Sequence, residues 1–427
     1  MEYKVVNGEL WMIPKDQFEK EGITEITIPE GVTRIGAFNF ASDFPNLQSI
    51  NIPEGVTSIG EQAFGGCRNL TAINIPETVT EIGPWAFTKC ENLSSVNIPN
   101  AVTCIKPHTF YGCKSLKSIN IPDSVTSIGI GAFNKCGLAT ITIPEGVTEI
   151  GASAFFGCEN LISVTLPNSI KEIGAQAFEW CPALETINVY ETTKDDNLKK
   201  ARKSKKITGI KDYAFAKLEN LTSVVIPGGI VDIGKSAFYN CPALTSVEIS
   251  EGVRSINEGA FSECTNLASI TIPNSVKSIE NYAFMNCTNL ISVELPDNMT
   301  NLGSGVFDGC SSLISASISK SLKTIRGFSR CSSLTSVTIP NSVTEIGDDA
   351  FRMCTSLTSI TIPNSVKSIG DSAFYRCSSL TSVNIPDSVI SIGRRVFDEC
   401  PKLTIYAPAE SYAIQYAKDN SIAFEEL

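Results

Sequence analysis

The sequence predicts an α/β solenoid. It should be a curved, right-handed array of short coils, with a parallel β-sheet on the concave face. Short β segments and helical turns should form the opposite wall. Three observations carry the prediction. The chain of 427 residues repeats itself at a 23-residue step, and self-similarity at periods of roughly 20 to 50 residues marks stacked-repeat architectures. Fourteen of the fifteen cysteines fall at one position of that repeat, from Cys67 and Cys90 to Cys377 and Cys400, and only Cys104 stands outside. Phenylalanine holds a second column: Phe64, Phe87, Phe110 and Phe133 through Phe351, Phe374 and Phe397.

Each unit reads as a sequence of short elements. Leu47, Ile50 and Ile52 alternate with polar residues, as a half-buried strand requires. Pro53 ends the strand, because proline supplies no ladder donor. Val56, Ile59 and Gly60 form a second extended segment on the other wall. Ala63, Phe64 and Cys67 have the spacing of one helical turn with three residues turned inward. No coil can bury its own core; its neighbours complete it.

This pattern, Leu-x-x-Ile-x-Ile-Pro followed by Ile-Gly-x-x-Ala-Phe-x-x-Cys, resembles the BspA-like leucine-rich repeats, the 23-residue bacterial surface-protein type. It covers almost the whole chain. The resemblance implies a leucine-rich-repeat array, display at or beyond the cell surface, and a role in adhesion or protein contact. It carries no catalytic motif. The tyrosine-to-phenylalanine ending, from Tyr406, Ala407 and Pro408 to Phe424, also resembles the usual terminus of such arrays.

The expected organisation is a single solenoid over residues 1–427. Residues 1–28 form a cap and a degenerate repeat, 29–407 hold about 16 repeats, and 408–427 form a second cap. Val5 to Leu10 reads as a hairpin with an Asn7-Gly8 turn. Ala409 to Asp419 reads as a helix with an apolar stripe of Tyr412, Ala413, Tyr416 and Ala417. Ile422 and Phe424 add a last extended segment. The register breaks near Ala37 to Phe44, again at a coil two residues short (Ser321 to Phe328), and at an insertion over 191–206. The insertion carries seven basic and three acidic side chains, +4, against 27 basic and 42 acidic, −15, on the rest. Its residues Lys199, Lys200, Arg202, Lys203, Lys205 and Lys206 are a candidate site for an anionic partner.

Composition narrows the function. The net charge of −11 disfavours a nucleic-acid binder. No apolar run reaches the length of a membrane span, and the first residues lack the apolar core of a signal peptide. A single histidine, His108, leaves little room for histidine-ligated zinc or a Cys-His pair. No cofactor or metal is expected. The column cysteines read as small buried hydrophobes, and parallel Cβ vectors on stacked coils do not converge as a disulfide requires. Cys104 is the thiol expected to react.

The candidate binding face is the set of outward strand positions. In the first half these are Ser49, Asn51, Asn74, Ser95, Asn97, Ser118, Asn120, Thr140 and Thr142; later come Glu248, Thr271, Glu294, Thr338, Thr361 and Asn384. They make a small, polar, nearly neutral ladder that suits an extended protein or a glycan. Trp85, Tyr111, Phe156, Trp180, Tyr239 and Tyr375 lie around the turns and offer an alternative contact edge. The expected function is a non-enzymatic protein-interaction or adhesion module of a bacterial cell-surface or secreted protein. The alternative is an intracellular scaffold, which Met1 and the unpaired thiols favour.

Overall fold

The computed structural model describes residues 4–12, 22, 24–40, 44, 46–167, 169–189, 209–226 and 230–427. The insertion at 191–206, with its six candidate basic residues, lies outside them. The chain divides into two compact units, Met1–Asn220 and Leu221–Leu427, and each is a solenoid of stacked short strands.

Period-two alternation sets the first wall. In the first unit Glu25–Thr27, Ser49–Asn51, Ala72–Ile73 and Ser95–Val96 pair in parallel, each with the equivalent strand of the next coil. A second ladder joins Thr140–Thr142, Ser163–Leu166 and Thr186–Val189. The Val-x-x-Ile-Gly segment forms two-residue strands on the second wall, for example Ser58–Ile59 beside Glu81–Ile82 and Glu149–Ile150 beside Glu172–Ile173. Glycine follows the isoleucine because successive coils nearly touch there. A Cβ on Gly174 would lie 2.5 Å from the Ala152 nitrogen, well inside contact distance.

The helical turns expected on the opposite wall are absent. The only α-helix among the described residues is Tyr412–Asp419. Residues 60–67 form overlapping turns instead. Ala63, Gly65 and Cys67 each donate their N–H three residues back, to Gly60, Gln62 and Phe64. The alternate donors leave the coil: Gln62, Phe64 and Gly66 bond to the carbonyls of Pro84, Ala86 and Thr88 on the next one. An α-helix would spend every N–H on the fourth residue back, so half of these donors would be lost to the stack. The alternation is made by two left-handed residues per coil, Gln62 (φ 51°) and Gly66 (φ 80°), repeated as Trp85 and Lys89, and as Ser372 and Arg376.

The core lies between the walls. In the first unit the phenylalanine rings from Phe40 to Phe215 stack at 5.0–5.5 Å between centroids. The stack passes the insertion unbroken, since Phe178 and Phe215 lie 5.2 Å apart and 3° from parallel. Each buried phenylalanine contributes about 1.5–3 kcal/mol of transfer free energy. The coils flanking the insertion are also clamped by a buried ion pair. Glu179 is 4% exposed; its carboxylate accepts from Lys217 Nζ at 2.9 Å and from Gln176 Nε2 at 2.9 Å.

The column cysteines are buried and free, and packing is only part of their role. Thiols of the column donate to the phenylalanine carbonyl of the preceding coil, for example Cys90 to Phe64, Cys264 to Phe238 and Cys377 to Phe351, each at 3.2 Å. That carbonyl already accepts the N–H of its own coil's cysteine, as Phe64 does from Cys67. The thiol therefore uses the second lone pair of a buried acceptor. At one coil Leu218 takes the position and is fully buried.

The second unit repeats this plan. Ser223–Ile226, Ser246–Ile249 and Ser269–Thr271 form one first-wall ladder, Ser292–Glu294 and Ser315–Ser317 another. Ser359–Thr361, Ser382–Asn384, Thr404–Ala407 and Ala423–Glu426 form the last. The phenylalanine stack runs from Phe238 to Phe397, and Tyr416 closes it edge-on at 6.2 Å. Tyr416 belongs to the end-cap helix, whose Ala413, Ile414 and Ala417 are buried while Tyr412 is exposed. Ser411 caps that helix by accepting from the Ile414 N–H. At the other end, Lys4–Val6 and Glu9–Met12 form the antiparallel hairpin expected around Asn7-Gly8.

Candidate binding face

The first-wall strands place the expected face outward. Asn51, Asn74, Ser95, Ser118, Asn120, Thr140 and Thr142 are exposed in the first unit, as are Glu248, Thr271, Glu294, Thr338, Thr361 and Asn384 in the second. Ser49 is half-buried. Equivalent residues are one coil apart, about 4.8 Å, and hydrogen-bonded ladders fix their backbones. Rows of threonine and serine hydroxyls beside the face bond to the preceding coil, as Thr71 does to the Gln48 carbonyl at 3.2 Å and Thr381 to Thr358 at 3.0 Å.

Asn97 departs from the row. It is half-buried, its Nδ2 donates to the Ile75 carbonyl at 2.7 Å, and its Oδ1 accepts from the Ile75 N–H at 2.7 Å. The side-chain amide takes the place that a backbone peptide holds elsewhere, as where the Ile28 N–H meets the Asn51 carbonyl. Its spacing alone hid this, because the amide folds into the ladder instead of projecting from it.

In the second unit the face contains a depression that sequence spacing did not single out. A cavity of about 710 Å³ is lined by residues of three consecutive coils, including Glu294, Ala316, Ser317 and Thr338. Ala316 occupies the column that Val293 and Ile360 fill, and it is half-exposed where they are buried. The next coil's residues 336–338 belong to no strand. This is also the coil shortened by two residues. Gly327 (φ 104°) carries the chain directly from the second wall into Phe328, whose ring stays in the stack. Ser319, in the proline column, is buried and donates to the Met299 carbonyl at 2.9 Å.

The other singled-out residues are engaged separately. Cys104 is half-exposed on the second wall, and its sulfur accepts from the Ser127 hydroxyl at 3.2 Å. His108 stacks on Trp85 at 3.9 Å and meets Tyr111 edge-on at 6.0 Å. Burial holds its imidazole below the ordinary range, so it is neutral at pH 7. Trp180 is exposed and lies 4.8 Å beneath Lys217 Nζ. Tyr375 carries Arg352 and Arg376 over its ring at 5.5 and 5.2 Å, and its hydroxyl donates to Glu399. Among the described residues no group of three metal-ligating side chains converges, and no helix is long and apolar enough to cross a membrane.

The chain is similar to several solved leucine-rich repeat proteins. A leucine-rich repeat protein from Bacteroides ovatus is 34% identical, with 89% of this chain and 92% of that chain covered and a TM-score of 0.66. A leucine rich cell surface protein from Faecalibacterium prausnitzii is 24% identical over 98% of this chain and 94% of its own, with a TM-score of 0.36. A leucine-rich repeat protein from T. pallidum is 29% identical, covering 48% of this chain and 85% of its own at a TM-score of 0.33. No curated protein matches the chain. The BspA type leucine rich repeat region matches in six copies, within residues 12–138, 103–200, 126–245, 206–329 and 326–424. With nearly its whole length matched, the chain belongs to the BspA-type leucine-rich repeat family.

Proposed function

We propose that the chain is a non-enzymatic module that binds a protein partner through its first-wall strand face, as part of a surface-displayed or secreted bacterial protein with a role in adhesion. The observation that carries this reading is the row of small, exposed side chains at Thr140 and Thr142, at Ser269 and Thr271, and at Ser359, Thr361 and Asn384, held on hydrogen-bonded ladders. A face whose backbone is already ordered loses little conformational entropy on binding. A photo-crosslinking side chain placed at Thr142 or Thr361 should capture a partner from cells of the source organism. The same group at Ser368, on the second wall, should not. Capture from Ser368 alone would place the contact on the other wall. A glycan partner would leave both positions without a protein adduct while the protein still binds the cell surface.

A second reading, an intracellular scaffold, is favoured by the fifteen free thiols. A membrane-impermeant maleimide applied to intact cells separates the two. Display at the surface gives labelling at Cys104, whereas an intracellular protein is labelled only after lysis.

A further inference from the structure

We infer that the depression around Ala316 seats a bulky aliphatic side chain of an extended, lysine- or arginine-bearing peptide segment; this rests on the protein-binding reading above and names its partner chemistry. Four irregularities meet at this one coil. Ala316 is truncated in a column of valine and isoleucine, and the strand ladder ends at Ser315–Ser317. The coil is two residues short, and a cavity of about 710 Å³ opens there. Of the register breaks in the chain, this one coincides with a truncated residue in the valine and isoleucine column.

The surroundings state the chemistry of the occupant. Ile291 and Ile314, on adjacent coils beside the depression, are 51% and 50% exposed, whereas Thr245, Thr358 and Thr381 take that position on other coils of this unit. The two isoleucines stand next in sequence to the lining residues Ser292 and Ser315, and within the depression the Ala316 methyl, Ile318 and Pro340 supply the apolar lining.

Charge selects the segment. Glu294 borders the cavity, Glu248 lies two coils away, about 10 Å, and both are exposed. Neither forms an ion pair with a described residue. The lysine on the rim, Lys320, is already held by Asp297 at 2.7 Å. The free charge of the face is therefore negative, and two carboxylates at this separation match basic side chains three residues apart on an extended peptide of polyproline II type, in which residues i and i+3 share one face about 9 Å apart.

The test uses the full chain and a fluorescein-labelled nonapeptide in which two lysines, three residues apart, are followed by an isoleucine. Fluorescence anisotropy should show saturable binding that weakens as salt rises. Replacing the lysines by glutamate, or the isoleucine by glycine, should reduce affinity at least tenfold. Ala316→Val restores the residue type of the column, so the fold should persist with an unchanged or higher melting temperature while affinity falls at least fivefold. Glu294→Lys should remove most of the salt dependence. Absence of binding by the parent chain, or equal binding by the parent and both variants, overturns the inference. If both variants bind like the parent while Thr142→Arg abolishes binding, the site is elsewhere on the face and the broader reading survives. If peptide binding follows the prediction but crosslinkers at Thr142 and Thr361 capture nothing from cells, the seat is real and the broader reading fails.

Discussion

At the scale of the residue, one atom too many or one proton too few decides whether a coil fits. Gly174 and Gly347 hold the same position of the repeat, yet an added Cβ would meet the Ala152 nitrogen at 2.5 Å in the first case and the Ile325 carbonyl oxygen at 3.3 Å in the second. Gly174→Ala should therefore lower stability by about 1–3 kcal/mol, the usual cost of overpacking, and Gly347→Ala by distinctly less. Chemical denaturation of the two variants checks this; equal losses would mean that close approach of the coils is not what selects glycine here. The thiols make a second residue-scale case. Cys104 is half-exposed and the column thiols are buried, so iodoacetamide should add one label rapidly to the folded protein. Cys400, at the rim of the core with 9% exposure, should follow slowly. Intact mass spectrometry reads the count, and several fast adducts would show that the column opens in the native state.

At the scale of the element, a connection between coils survives only if both flanks stay in register. Glu179 and Lys217 lie on the two coils that flank the insertion. Removing the lysine leaves a buried carboxylate with Gln176 as its remaining side-chain donor. Lys217→Met should cost about 3 kcal/mol, at the low end for a broken buried pair because Lys217 keeps some exposure. The double change Glu179→Gln with Lys217→Met should cost less than the single one. Urea unfolding of the parent, both singles and the double closes the cycle, and additive losses would remove the clamp. The strands of these elements were legible because alternation such as Leu47, Ile50 and Ile52 has only one periodic explanation. The turns were not. Ala63, Phe64 and Cys67 share an inward face both in a helix and in overlapping turns that reverse at Gln62 and Gly66. A discriminating signal was present, since glycine or asparagine stands at Gly66, Gly112, Gly131, Gly157, Asn240, Asn286 and Gly309, all with positive φ. These are the residues that enter the left-handed region most readily. The outward row of the face was legible by the same alternation. The fold-back of Asn97 and the opening at Ala316 were not, because each depends on where a ladder lapses, and the repeat does not encode that.

At the scale of the whole molecule, the array's regularity turns a weak property of one thiol into a property of the chain. Burial is the largest cause raising the thiol pKa at Cys90, Cys113, Cys158, Cys264, Cys287, Cys310, Cys331, Cys354, Cys377 and Cys400. Neighbouring thiols of the column add to it at several of these positions, including Cys113 and Cys264. Cys400 is pushed up to about 11 and Cys354 to about 12. A group whose pKa is higher folded than unfolded stabilises the fold fully below its unfolded value. That contribution is lost as pH rises from the unfolded value towards the folded one. The window therefore opens near pH 9, the ordinary thiol value, and each such thiol then withdraws about 1.4 kcal/mol per pH unit. Several acting together make alkaline unfolding steep, while stability from pH 7 to 8 should be nearly flat on their account. Thermal melts at half-unit steps from pH 7 to 10 check the shape, with the range above 10 set aside because tyrosine and lysine titrate there. The variant Cys354→Ala with Cys377→Ala should be less stable at pH 7, since two buried side chains are shortened. Its melting temperature should nevertheless fall less steeply between pH 9 and 10 than that of the parent. Parallel curves for parent and variant would show that the alkaline loss arises from other groups, and would leave the cysteine column a packing feature without a role in the pH response.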